Sequence, residues 1–143
     1  MSLRLIDSSI WISYLRPQPA ARLVAAVHEA LKAGEAAVAT PIVAEVLAGI
    51  RDASEYAARQ TDFRALPHVA TDEEVGYTAA RIGRALAGAG KTSKTVDLIL
   101  AAASIHSGAE LWSLPDEHYE DIRAFLKTRE LRDVSPLRVR WLP

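Results

Sequence analysis

The first apolar run begins almost at once: Leu3-Arg-Leu-Ile leads into Asp7, two serines and Ile10-Trp-Ile. A short hydrophobic run of this kind predicts a central strand buried on both faces. Ile10, Trp11, Tyr14 and Leu15 then have helical spacing, and Pro17 and Pro19 stop that helix. From Ala20 to Lys32, Leu23, Val24, Val27 and Leu31 form the stripe of a second helix that Gly34 closes. Ala36 to Thr40 reads as a second short strand, and Thr40-Pro41 as a cap followed by proline in the first helical turn. Residues 42 to 50 are apolar apart from Glu45, which predicts a helix buried on every side.

Farther along, Asp52 with Glu55 and Thr71 with Glu74 have capping-box spacing. The first opens a helix through Phe63, and the second a longer one ending at Gly88 with Val75, Ala79, Ile82 and Leu86 inward. Between them, His68-Val69-Ala70 suits a brief strand or a connection. Thr95 to Ser107 is another largely apolar helix with one acid, Asp97, in its first turn. Leu111 to Leu114 reads as a further buried strand that runs directly into Pro115 and Asp116. A helix through Leu126 follows. Leu137 to Leu142 then alternates as an edge strand with Arg138 and Arg140 toward water. Strands separated by helices predict an α/β fold in three layers, with a mostly parallel sheet of about four to five strands between helices.

Composition narrows the possibilities. The chain has 143 residues, half of them hydrophobic, which suits one domain over residues 1–143. Cysteine is absent, so disulfides and thiolate metal sites are excluded. There is no span-length apolar run and no secretory pattern, and the expected setting is the cytoplasm, away from membranes. The net charge of −1 gives no global attraction for nucleic acid, so a binder would need a local basic patch. Arg84, Lys91 and Lys94, with Arg81 upstream, are the candidates for contact with a phosphate backbone. Gly88-Ala-Gly-Lys-Thr92 has the look of a phosphate loop but lacks the required first glycine and follows a helix. It is read as a connector.

Four lone acids recur in comparable settings: Asp7, Glu45, Asp97 and Asp116 each lie at a strand end or a helix start. Each also has an ordinary explanation, a helix cap or a structural ion pair. In a parallel sheet, however, those places share one rim, and ligands bind at that rim. Clustered carboxylates repel, and a hard dication relieves them. Magnesium takes oxygen ligands and keeps several waters; one ion, or two roughly 4 Å apart, can serve phosphodiester hydrolysis. Zinc is disfavoured because His28, His68, His106 and His118 lack ligand spacing.

In these residues the chain resembles the PIN-domain family, and within it the VapC-type toxins of toxin–antitoxin pairs. The resemblance rests on Leu5-Ile-Asp-Ser-Ser9, Pro41-Ile-Val-Ala-Glu-Val-Leu-Ala-Gly49, Asp97-Leu-Ile-Leu-Ala-Ala-Ala103 and Leu111-Trp-Ser-Leu-Pro-Asp-Glu-His-Tyr119. It implies a metal-dependent endoribonuclease in which Asp7, Glu45 and Asp97 hold magnesium or manganese and Ser9 orients a water or a carboxylate. At the fourth motif many relatives have threonine, any residue, then an acid or amide. Here Ser113-Leu114-Pro115 stands in that place and Asp116 follows one residue later. Either Asp116 fills the fourth role from a shifted position, or the site runs on three acids. Glu117 stands where some relatives carry lysine. The resemblance further implies an RNA substrate, a cognate VapB-type antitoxin and assembly as a homodimer or hetero-oligomer. Two other readings compete: a catalytically inactive module that binds RNA or protein, and a nuclease of the same fold acting on DNA.

Overall fold

The computed structural model describes residues 2–128 and 131–143. Four strands, β1 (Arg4–Ile6), β2 (Ala36–Ala37), β3 (Glu110–Ser113) and β4 (Val139–Trp141), form one sheet in the order β2-β1-β3-β4. All three pairings are parallel. A parallel bridge between Val38 and His68 extends the β2 edge, so the segment expected to be a strand or a connection is a little of each.

Among the described residues, seven helices connect the strands: α1 (Ser8–Tyr14), α2 (Ala21–Lys32), α3 (Thr40–Ala48), α4 (Ala53–Arg64), α5 (Glu73–Gly88), α6 (Thr95–Ser107) and α7 (Glu117–Phe125). They pack as two groups, α1 to α4 and α5 to α7. The sheet reverses its direction of growth after β1, because β2 is added on one side and β3 and β4 on the other. With right-handed crossovers, that reversal sends helices to both faces and leaves a crevice outside the carboxyl ends of β1 and β3. Leu5, Ile6, Leu111 and Trp112 are completely buried, as central strands require.

Where α5 crosses α6, an added Cβ on Gly83 would lie 2.8 Å from Leu98 Cδ1. The glycine lets the first turns of α6, which carry Asp97, pack closely. At the other end of α6, Gly108 has φ of +73° and closes the helix in the left-handed conformation.

Three local expectations are corrected. Thr40 does not cap α3: the helix already includes it, and Ala39 holds the cap position without a side-chain bond. Thr71 does not cap α5 either, because Asp72 does so through Val75 N–H at 3.2 Å. The two threonines are hydrogen-bonded to each other at 2.8 Å instead, tying the start of α3 to that of α5. Third, α3 is not buried on every side. Ala44, Glu45 and Ala48 are exposed, because the helix packs mainly on α1 and α4 and small alanines leave little apolar area facing water. The Asp52 cap on α4 is as expected, accepting from Glu55 N–H at 2.8 Å.

Candidate metal and catalytic site

Asp7 follows directly on β1, and its backbone N–H donates to Trp112 O across the two central strands. Its side chain is buried and does two things. One oxygen, Oδ2, accepts from Ser9 N–H at 3.0 Å and so caps α1; the other, Oδ1, accepts from the Tyr119 hydroxyl at 2.9 Å. The cap of α1 and the cavity-lining carboxylate are therefore one group. Ser9 Oγ accepts from Leu114 N–H at 3.4 Å, which ties the exit of β3 to the start of α1. Glu45 reaches in from α3, and the Ser8 hydroxyl donates to its Oε1 at 2.7 Å. Asp116 caps α7 through His118 N–H at 2.8 Å.

Asp7, Glu45, Asp97 and Asp116 line a single cavity of about 550 Å³ at the sheet's switch point. Ser8, Ser9, Ser13, Arg16, Lys94 and Leu114 share its wall. Burial pushes the Asp97 carboxyl up to about 6, and the negative charges of Asp116 and then Asp7 push it in the same direction; His118 and Lys94 pull it partly back. Tyr119 is driven upward by its burial first and by Asp7 and Asp97 next, so its hydroxyl stays protonated and can only donate to Asp7.

The basic run does not act as one patch. Lys94 joins the acidic cavity. Lys91 pairs with Asp121 at 3.6 Å. Arg84 lines a separate cavity of about 670 Å³ alongside Arg81, whose guanidinium donates two hydrogen bonds to the Asp133 carboxylate, each at 3.0 Å. His28 and His106 lie away from the acids, hydrogen-bonded to Tyr14 and Thr78. Sequence reasoning missed Tyr119 and Ser8 as partners of the acids. Both stand inside the motifs already singled out, but a tyrosine on a helix stripe looks like ordinary core until its hydroxyl is located.

The donors are carboxylates and hydroxyls, a hard-oxygen set suited to magnesium or manganese and unsuited to zinc. Among the described residues, no three His, Cys, Asp or Glu side chains are drawn together tightly enough to cage an ion unaided. Magnesium does not require such a cage, since it keeps several waters and takes one or two carboxylates. Asp97 is raised by its burial first and by the negative charges of Asp116 and Asp7 next, and a dication beside it would offset that cost of ionisation. The residues fit such an ion.

Tyr119→Phe tests the support of Asp7. The variant should leave a buried carboxylate oxygen short of a donor, costing about 1–3 kcal/mol of stability. Groups that orient metal-binding side chains typically matter by roughly 10–100-fold in affinity or activity. Chemical denaturation and magnesium titration of parent and variant measure both losses, and a variant matching the parent in each would remove Tyr119 from the site.

A family profile described as the PIN domain matches residues 4–126. The chain is 31% identical over 118 residues to ribonuclease VapC19 of Mycobacterium tuberculosis, covering 82% of this chain and 92% of the relative. It is 32% identical over 113 residues to ribonuclease VapC11 of the same species, covering 75% and 82% respectively. In structure it is similar to a chain of VapBC2 from Rickettsia felis bound to a DNA fragment from their promoter. That match has a TM-score of 0.72 and 14% identity and covers 99% of both chains.

Proposed function

Because the chain belongs to the PIN-domain family, we propose that it is a metal-dependent endoribonuclease, the toxin of a VapBC-type toxin–antitoxin pair. The observation that carries this reading is the meeting of Asp7, Glu45, Asp97 and Asp116 in one cavity. Relatives named VapC ribonucleases, matched over most of both chains, support RNA as the substrate.

Asp7, Glu45 and Asp97, with Asp116 as the fourth acid, would hold magnesium or manganese. Such an ion supplies water activation and charge neutralisation for an in-line displacement at phosphorus. The chain's own residues arrange the rest. Tyr119 and the Ser9 amide fix both oxygens of Asp7. Ser8 holds Glu45 at the rim, where the carboxylate is exposed and able to take a proton from an incoming water. Ser9 keeps α1 and the end of β3 together.

The same reading implies a cognate antitoxin that covers the acidic cavity. No described helix is long and apolar enough to cross a membrane.

The test is cleavage of a labelled single-stranded RNA and the matching DNA by the purified chain, with magnesium, manganese or EDTA. RNA should be cut only with added metal, and DNA left whole. A folded chain that cuts neither strand under any condition would favour an inactive binding module, and equal cutting of DNA would overturn RNA specificity.

A further inference from the structure

The acidic cavity has a rim of different character. Arg16, just past the end of α1, and Lys94, at the cap position of α6, both line it and both are exposed. Among the described residues Arg16 makes no ion pair, and of the arginines without one it is the one that lines this cavity. Ile12 and Val96 line the same cavity and are 39% and 37% exposed. Only four large hydrophobic side chains in the described chain are so exposed, and two of them flank this one opening. Thus α1 and α6 each bring one uncovered apolar side chain to the rim, and the residues flanking their ends each bring one cation.

From this arrangement we infer that Arg16 is a substrate-binding residue: it holds a phosphate beside the acids while Ile12 and Val96 receive the face of an adjoining base. The inference rests on the ribonuclease reading. A polyanion approaching clustered carboxylates needs cations at the threshold, and the net charge of −1 supplies no field from elsewhere. An unpaired guanidinium offers a planar fork that matches two phosphate oxygens; an ammonium cannot reproduce this. A ligand with a charged backbone and flat apolar faces satisfies both halves of the rim. Arg84 and Lys91 cannot do this work from where they stand, because the first lines another cavity and the second is paired with Asp121.

The experiment uses the full chain in two backgrounds. With Asp97→Asn present, binding of a fluorescent single-stranded RNA is measured against salt without cleavage; with Asp97 intact, KM and kcat are measured separately. Arg16→Ala should weaken binding about 3- to 10-fold and lower the slope of log Kd against log salt by about 0.7, one phosphate contact on a single strand. KM should rise by a similar factor while kcat stays within about twofold, and Arg16→Lys should recover part of the loss. Ile12→Ser should weaken binding without changing the slope, as loss of an apolar contact requires. If RNA binds and is cut by the parent yet Arg16→Ala changes neither affinity nor slope, the assignment of Arg16 is wrong and the ribonuclease reading stands. An unchanged Ile12→Ser removes the base contact. A parent that neither binds nor cuts RNA overturns both.

Discussion

Asp97→Asn should lower RNA cleavage by about 10³-fold and make the metal-free protein more stable. The first effect follows from the charge the site is proposed to hold. Charge stabilisation by a bound dication is worth several kcal/mol in the transition state, and about 1.4 kcal/mol is a factor of ten. Loss of one anionic ligand should therefore cost on the order of 10³-fold in kcat/KM. Asp7→Asn should do the same while keeping the α1 cap, since asparagine caps as well as aspartate. The second effect follows from the raised Asp97. A carboxyl at about 6 in the folded chain, against an ordinary value of 3.8, binds its proton more tightly folded than unfolded. Its contribution to stability is complete below about pH 4 and lost as pH rises through about 6. At neutral pH the ionised group is a burden, worth about 1 kcal/mol once screening of a half-exposed site is allowed for. Asparagine removes that burden. Thermal melts without metal should show parent stability falling between pH 4 and 6, with a much flatter profile for the variant. Adding magnesium should raise the parent's Tm and leave the variant's unchanged. A variant that cuts RNA like its parent would refute the catalytic assignment, and identical pH profiles would refute the electrostatic one.

Much of this site was legible in the chain because its parts are local. Asp7 stands one residue after β1, Asp97 in the first turn of α6 and Asp116 at the cap of α7, and sheet topology brings strand ends and helix starts to one rim. Glu45 was picked out for a wrong reason. It was expected to be buried in an all-apolar helix, yet it is exposed and joins the cavity from the open side of α3. Hydrophobicity alone cannot distinguish a buried alanine from one facing water, because alanine has so little area at stake. Helix starts were also read less well than helix bodies. Thr40 and Thr71 fit the cap pattern, and only the meeting of α3 and α5 decides that they bond to each other. The cations were judged by proximity in sequence, and long-range partners then divided them. Asp133 and Asp121 lie 52 and 30 residues from Arg81 and Lys91, beyond what a local pattern can show. Tyr119 and Arg16 became visible only in the folded chain, one through its hydroxyl and the other through its place on the cavity rim.

The largest loss of stability should come from Trp112→Ala. Trp112 lies at the centre of β3 and is completely buried, although the residues around it on its face of the sheet are largely charged. Arg140 is its direct partner on β4, with the guanidinium 4.5 Å from the ring centroid. Arg4 approaches from β1 to 4.9 Å, and the indole N–H donates to Glu110 at 2.7 Å. Arg140 was expected to face water. Its side chain is indeed exposed, but its guanidinium also roofs the indole, as long cationic side chains do when stem and head meet different surroundings. Removing the ring deletes a full tryptophan's burial, leaves a cavity between β1 and β4, and strands two arginines that had been lying on a π-face. Such truncations cost about 3–5 kcal/mol, a large share of the roughly 5–15 kcal/mol that holds a domain together. For a chain of this size the corresponding fall in Tm is roughly 10–15 °C. Trp112→Phe should recover most of the packing but give up the Glu110 bond and part of the cation–π attraction, worth about 0.5–2 kcal/mol. Urea denaturation of the three proteins separates these contributions. A Trp112→Ala variant within 1 kcal/mol of its parent would show that the arginines close over the gap, and that the centre of the sheet does not depend on this ring.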